Sequence, residues 1–177
     1  MKTKYIFLLF LLINSQFLIL FSGSMFAQSN ANASATAEAR IVAGIAITKN
    51  VDLAFGQIVR SASAGVVTLD PTTNDRTASG GVTLGQNSGF NAAEFAVTGE
   101  PDYKFQLTLP SAIDITRRNG TEIMVVDGFT TSLGSGDQGT LDQNGGMSFN
   151  LGATLHVGGM QATGTYDGTF SVTAAYQ

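Results

Sequence analysis

The last fourteen residues alternate between apolar and polar side chains, and this pattern constrains the fold more than any other segment. One face carries Tyr166, Gly168, Phe170, Val172, Ala174 and Tyr176, and polar side chains fill most of the other face. Period-2 alternation with aromatic and β-branched residues is typical of a half-buried β-strand. Residues 164–177 therefore predict a C-terminal strand that is tied into a sheet.

The N-terminus has the three parts of a secretory signal peptide. Two lysines precede a mostly apolar run over residues 5–21, and small residues follow before a cut after Ala27. A polar triplet at residues 14–16 interrupts the run, which makes it poor for a membrane span of roughly 20 apolar residues. We expect cleavage near Ala27, export to the periplasm, cell surface or medium, and no stable membrane insertion after cleavage.

The mature chain is one acidic domain without cysteines. Removal of residues 1–27 leaves 150 of the 177 residues, enough for a single core. The removed segment takes two of the nine Lys and Arg and none of the 13 Asp and Glu, so the formal net charge becomes −6. This charge disfavours nucleic acid and anionic membranes as partners. Without cysteine, stability depends on packing alone.

Short alternating runs separated by turn-forming clusters fill the mature chain, which is typical of an antiparallel β-sandwich or barrel. We predict strands near residues 37–48, 51–59, 64–70, 81–86, 93–98, 102–109, 122–127, 147–157 and 164–177. The pair Gly80-Gly81 is among the predicted turns. The expected core comes from the consistent faces of the three clearest strands: Phe105, Leu107, Phe149, Leu151, Leu155, Phe170 and Val172.

Apolar residues occupy every odd position from 31 to 47, a stretch too long for one strand of a small domain. Seventeen extended residues would span about 56 Å at about 3.3 Å per residue, whereas strands usually have about 3–10 residues. We assign residues 39–48 to the domain's first strand. Residues 28–38 are then either a leader, which their small side chains favour, or a donor strand that adds to a neighbouring subunit's sheet. A donor strand would face its acceptor with Ala33, Ala35 and Ala37.

Motifs that carry chemistry are weak in this sequence. Residues 134–139 match G-x-G-x-x-G, but another turn follows where a dinucleotide site needs a helix. His156, the only histidine, falls on the polar face of its strand, without cysteines for a zinc site or a nucleophile motif for a triad. Acidic turn residues such as Asp70 and Asp142 usually accept local backbone hydrogen bonds. We expect no enzyme, and therefore no catalytic residue, cofactor or metal.

A series of short segments carries a family resemblance. The segments are Leu53-Ala-Phe-Gly56, Gly65-Val-Val-Thr-Leu-Asp-Pro71, Phe95-Ala-Val-Thr-Gly99, Tyr103-Lys-Phe-Gln-Leu-Thr-Leu-Pro110 and Leu151-Gly-Ala-Thr-Leu155. Residues 164–177 close the series with Gly164 fourteen positions from the end and a penultimate aromatic, Tyr176, as in chaperone–usher pilins. Over residues 35–177 the chain resembles a family of small exported bacterial domains of unknown function, related to spore-coat-U and Mat-type fimbrial pilins.

The resemblance implies an immunoglobulin-like, pilin-like antiparallel β-sandwich over residues 39–177, exported by Gram-negative bacteria. It implies a non-enzymatic cell-surface or fimbria-like structural subunit, with copies of itself or related subunits and a periplasmic chaperone as partners. If residues 28–38 donate a strand, the resemblance places the receiving edge beside the C-terminal strand, at Gly164, Phe170 and Tyr176. The alternative function is a monomeric secreted binding module, for example for glycans.

Overall fold

The computed structural model describes residues 30–87, 89–134 and 136–177, so the predicted signal segment lies outside the described residues. In these ranges the chain forms thirteen β-strands and no helix. The strands are β1 (Ala46–Val51), β2 (Ala54–Phe55), β3 (Ile58–Leu69), β4 (Arg76–Leu84), β5 (Phe90–Asn91), β6 (Ala93–Thr98), β7 (Lys104–Thr108), β8 (Ala112–Arg117), β9 (Ile123–Thr131), β10 (Gln138–Thr140), β11 (Gly146–Val157), β12 (Tyr166–Asp167) and β13 (Thr173–Tyr176). None of the described segments is a helix long and apolar enough to cross a membrane.

The chain divides into two units at residue 40, and the second unit is residues 41–177. The described part of the first unit, residues 30–40, is exposed throughout and contains no strand. The first strand of the second unit begins at Ala46, so the strand predicted over residues 39–48 starts too early. Ile45 and Ile47 are the first residues of the alternating stretch that pack against the core. The preceding alanines offer only methyl groups, whose burial gains about 0.8 kcal/mol each.

The larger sheet is organised around β11, its longest central strand. Its pairing order is β1-β6-β11-β9-β8-β12, all antiparallel, with β3 and β4 attached through a second contact of β3 with β11. The first half of β11 pairs with β6 and the second half pairs with β3, while β9 pairs along the opposite edge. The sheet therefore forks at β11, and the branch β4-β3-β11-β9-β8-β12 curls into a half-barrel.

The smaller sheet has the order β10-β7-β13 and covers only part of the larger one. The predicted C-terminal strand is divided between the two sheets. Tyr166 and Asp167 pair with β8 in the larger sheet, whereas residues 173–176 pair with β7 in the smaller sheet. Within the described part of the chain, the crossing segment between them, residues 168–172, lies in no strand. The prediction of one continuous strand over residues 164–177 was therefore wrong at its centre.

The core consists of two clusters. The first cluster lies where the smaller sheet packs on β6 and β11, and includes Phe105, Val97 and Leu151, each 0% exposed. The second cluster lies inside the curl and includes Val67, Val126 and Leu155. Of the predicted core, Phe105, Leu107, Phe149, Leu151 and Leu155 are buried, as expected. Phe170 and Val172 are only partly buried, because the crossing segment that carries them lies at the border of the covered region.

The pair Gly80-Gly81 lies inside β4 and does not form the predicted turn. Opposite it, β3 carries a bulge, since Arg60 pairs with Val82 and the next paired residue of β3, Gly65, pairs with Gly80. The bulged residues come so close that a Cβ on Gly65 would approach the Ser79 carbonyl oxygen to 2.5 Å. Glycines here allow two backbones to meet at a bulge. The described strands confirm an all-β, antiparallel fold with one curled sheet.

Candidate functional site

A groove with an apolar floor and partly polar rims runs along the open side of the half-barrel, with a volume of about 910 Å³. Its N-terminal rim is residues 52–58 and its C-terminal rim is residues 164–170. The floor consists of apolar side chains from the three strands β8, β9 and β11: Ile113, Ile115, Met124, Val126, Leu155 and Val157. These side chains belong to the second core cluster or pack against it. The groove therefore gives solvent access to a part of the core that no second sheet covers in the described chain.

The C-terminal rim is held by an arginine on the turn after β8. The Arg118 guanidinium donates two hydrogen bonds to the Asp167 carboxylate, at 2.7 and 3.0 Å, and the Arg118 amide donates to the Thr165 carbonyl. The side-chain bond to Asp167 raises the pKa of Arg118. Gly164 begins this rim with a φ of +150°, and a Cβ there would lie 3.0 Å from Cδ of Arg117.

Phe170 is the aromatic residue of the C-terminal rim. Its ring meets Phe95 edge to face at 6.4 Å and Phe129 at 5.3 Å between centroids, and it remains partly exposed at the groove. The alternation of residues 170–176 continues through the change of sheet, so Val172, Ala174 and Tyr176 also pack against the first cluster. The sequence predicted this face correctly but not the exposure of its first members.

The N-terminal rim lies over a buried arginine that the sequence analysis did not single out. Arg76 is 7% exposed, and its Nη1 donates to the carbonyls of Phe55 and Gln57 at 2.7 and 3.0 Å. Its Nη2 donates to the Gln86 carbonyl at 2.6 Å, and its guanidinium lies 4.5 Å from the centroid of the Phe90 ring. A planar fork with several donors can gather carbonyls in this way, which a lysine cannot. Arg76 therefore fixes the backbone of this rim.

Tyr176 lies on β13, an edge strand of the smaller sheet, and its hydroxyl connects separate segments of the chain. Its hydroxyl donates to the Ala43 carbonyl at 2.9 Å and accepts from the Glu100 amide at 2.6 Å. The Ala43 amide in turn donates to the Glu100 carboxylate, and the ring packs edge-on against Tyr103 at 5.4 Å. One penultimate side chain thus joins the start of the second unit, the loop after β6 and the C-terminus.

The polar residues considered for chemistry serve local structure. Asp70 accepts hydrogen bonds from the amides of Thr72 and Thr73, and Asp142 accepts from those of Asn144 and Gly146. The backbone bonds, with that of Gly146 the largest contribution, lower the pKa of Asp142. The expectation of local backbone bonding is confirmed for both carboxylates.

As the sequence predicted, His156 lies on the polar face of β11, and no helix follows the glycine-rich residues 134–139. His156 is exposed, and its Nε2 lies 2.8 Å from Oδ1 of Asp127 on β9, a partner that the sequence did not indicate. The described residues contain no cluster of three or more His, Asp or Glu that could hold a metal ion. In the region of residues 134–139, Gly134 and Gly136 have positive φ, and strand β10 follows instead of a helix.

The predicted assembly residues fall in three places. Gly164 and Phe170 line the groove. Tyr176 lies at the end of β13, where its hydroxyl binds the Ala43 carbonyl. Ala33, Ala35 and Ala37 are exposed in the first unit, outside any described strand. The sequence analysis missed the N-terminal rim and Arg76, although Leu53-Ala-Phe-Gly56 stood among the segments that carried the resemblance.

Comparison with known proteins assigns the domain to a family without an assigned function. Residues 45–176 match the family described as Domain of unknown function (DUF4402), so the chain belongs to this family. No curated protein and no solved structure matches the chain. These comparisons give no link to spore-coat-U or fimbrial pilins, and the relation to them stays a hypothesis.

Proposed function

We propose that this chain is a non-enzymatic, exported structural subunit of a cell-surface or fimbria-like assembly, joined by β-strand donation. In this proposal the two sheets are the layers of an immunoglobulin-like, pilin-like sandwich that lacks one strand. The observation that carries the proposal is the groove with an apolar floor beside a C-terminal segment that leaves one sheet and joins another. Where residues 168–172 pass from one sheet to the other, main-chain groups and core side chains are exposed together, and an added strand can pair there.

The proposed occupant is the N-terminal arm of a second copy, residues 31–39. The arm is exposed, forms no strand within the described residues, and alternates alanine with polar side chains. Small methyl groups fit a groove whose floor is already formed by large side chains. Residues 31–37 of the arm carry no charge, and Glu38 is its one acidic residue, opposite a rim that holds Asp52 and Asp167. Two copies of an acidic chain can therefore meet through their neutral segments.

The expected affinity of one arm is modest. Five alanine methyls at about 0.8 kcal/mol each give about 4 kcal/mol, whereas association costs at least about 4 kcal/mol in lost freedom. Main-chain hydrogen bonds, at about 0.5–1.5 kcal/mol each, must supply the remainder. A synthetic arm peptide should accordingly bind no tighter than about micromolar. Assembly would then depend on many such joints or on a periplasmic chaperone.

The test is size analysis of the mature protein with and without residues 28–38. The full mature chain should form multimers at high concentration, and the shortened chain should be monomeric and bind the arm peptide. Ala33→Asp, Ala35→Asp and Ala37→Asp should each abolish multimers, while the matched controls Ser34→Asp and Thr36→Asp should retain them. If the full mature chain is monomeric and the shortened chain equals it in stability, residues 28–38 are a leader only.

A monomeric secreted binding module, for example for glycans, is the second candidate. Polar side chains stand along the groove beside the apolar floor, among them Gln57, Gln161 and Tyr166. The Tyr166 hydroxyl donates to the Ala162 carbonyl and accepts from Gln161, so these groups are already ordered without a ligand. Retention on immobilised glycans by a monomeric mature chain, lost on adding the competing sugar, would put this function first.

A further inference from the structure

We infer that the two sides of the groove recognise the incoming arm differently: the C-terminal side pairs with its main chain, and the N-terminal rim contacts its side chains only. Arg76 is then the positioning residue that holds the backbone of the N-terminal rim in place. This inference rests on the proposed strand donation and specifies how the second copy is held.

The main-chain groups of the N-terminal rim are largely engaged already. The Phe55 carbonyl accepts from Arg76, and the Gln57 carbonyl accepts from both Arg76 and the Gly85 amide. The two residues of β2 pair with β5, which uses one edge of that strand. Gly56 interrupts the extended backbone with a φ of +70°. A rim of this kind cannot present a regular ladder of donors and acceptors.

The C-terminal side has the opposite character. Residues 168–172 lie in no strand, and none of the described residues forms a hydrogen bond with the backbone of residues 169–172. The strand β13 that continues this segment pairs with β7 along one edge, and no other described strand pairs with it. An added strand requires backbone groups that no other strand uses, and among the described residues this segment has such groups. The main chain of the arm therefore pairs with this side.

Arg76 maintains the difference between the two sides. It is buried, it meets three carbonyl oxygens, and its Nε has no hydrogen-bond partner among the described residues. A cation that is held by backbone carbonyls stays in place only while residues 55, 57 and 86 keep their positions. Loss of the guanidinium would remove these hydrogen bonds, and the N-terminal rim could then move relative to the apolar floor of the groove.

Alternate N-methylation of the arm peptide tests one-sided pairing. Successive amides of an extended strand point to opposite sides, so methylation at Ala33 and Ala35 blocks one side and methylation at Ser34 and Thr36 blocks the other. Binding to the mature chain lacking residues 28–38 should fall at least about tenfold for one pair of methyl groups and stay within about threefold for the other. Equal losses for both pairs, or a loss for neither, would overturn the inference.

Hydrogen exchange locates the pairing side. Saturating parent peptide should slow exchange of the amides at residues 168–172, and should leave those at residues 54–57 within about twofold of their rates without peptide. The reverse pattern would contradict the inference. If the parent peptide does not bind at all, the proposed strand donation itself fails, and this outcome is distinct from binding with the wrong protection pattern.

The variant Arg76→Lys tests the positioning role. It keeps the charge but loses the fork, and should weaken the parent peptide at least about tenfold while speeding exchange at residues 55–57. Lys104→Met, which removes an exposed cation from β7, is the control and should bind like the unsubstituted chain. Unchanged peptide affinity in a folded Arg76→Lys variant would refute the role of Arg76. If this variant does not fold, the methylated peptides and the exchange pattern still decide the inference.

Discussion

Two phenylalanine-to-alanine substitutions compare the covered and the open part of the core. Phe105 is 0% exposed within the first cluster, so Phe105→Ala should lower the free energy of unfolding by about 4–5 kcal/mol, the upper part of the usual range for this change. Phe170 keeps its contacts with Phe95 and Phe129 but faces the groove on its other side. Since only part of its ring is buried, Phe170→Ala should cost about half as much, roughly 2 kcal/mol.

Urea unfolding of the mature chain lacking residues 28–38, in which no arm can cover the groove, measures both losses. Unchanged m-values would show that the two variants unfold from comparably compact states. The thermal midpoint should fall by roughly 3 °C per kcal/mol for a domain of this size. A loss for Phe170→Ala as large as that for Phe105→Ala would refute the reasoning, because it would mean that the groove is covered in solution. Arm peptide added in excess should raise the stability of the shortened chain, since it binds the folded state only.

Three further predictions concern other parts of the chain. Tyr176→Phe should cost about 1–2 kcal/mol in urea unfolding, because it removes two hydrogen bonds and keeps the ring contact with Tyr103; an unchanged midpoint would contradict the bridging hydroxyl. The lowered pKa of Asp142 means that its stabilisation is present above its ordinary value of 3.8 and is lost as pH falls through the lower folded value. Asp142→Asn should therefore reduce the loss of stability as the pH falls below 3.8, and an identical pH profile would exclude this contribution. Intact mass of the exported protein should give a chain that begins close to Gln28, whereas full-length protein in the membrane fraction would show a retained anchor.

The predictability of the fold followed the strength of the alternation. In β6 and β11, large apolar residues such as Phe95, Phe149 and Leu151 repeat at every second position, and both strands lie where predicted. Strand β8 was missed because only Ile113 and Ile115 mark its apolar face before two arginines. The two glycines of β4 indicated a turn, since the sequence cannot show that a bulge of β3 comes to lie against them.

The candidate site was predictable only in its C-terminal half. Alternation identified the face that carries Phe170 and Tyr176, and the family resemblance drew attention to Gly164. The role of Arg76 depends on carbonyls 10 to 21 residues away in the sequence, which no local pattern connects. Burial of a cation among backbone carbonyls is a property of the folded loops. The N-terminal rim therefore required the structure.

The alternation that predicts the C-terminal strand does not show that residues 168–172 lie outside both sheets. Side chains keep a period of two wherever the backbone is extended, whether or not it pairs with a neighbour. The alternation thus runs unbroken from Tyr166 through Phe170 to Tyr176, although the chain leaves the larger sheet after Asp167 and enters the smaller one only at Thr173. An apolar face reports which side is turned inward, and it does not report how many strands cover that side. Whether the arm of a second copy or a soluble ligand covers the groove must accordingly be measured on the exported chain, with residues 28–38 present and removed.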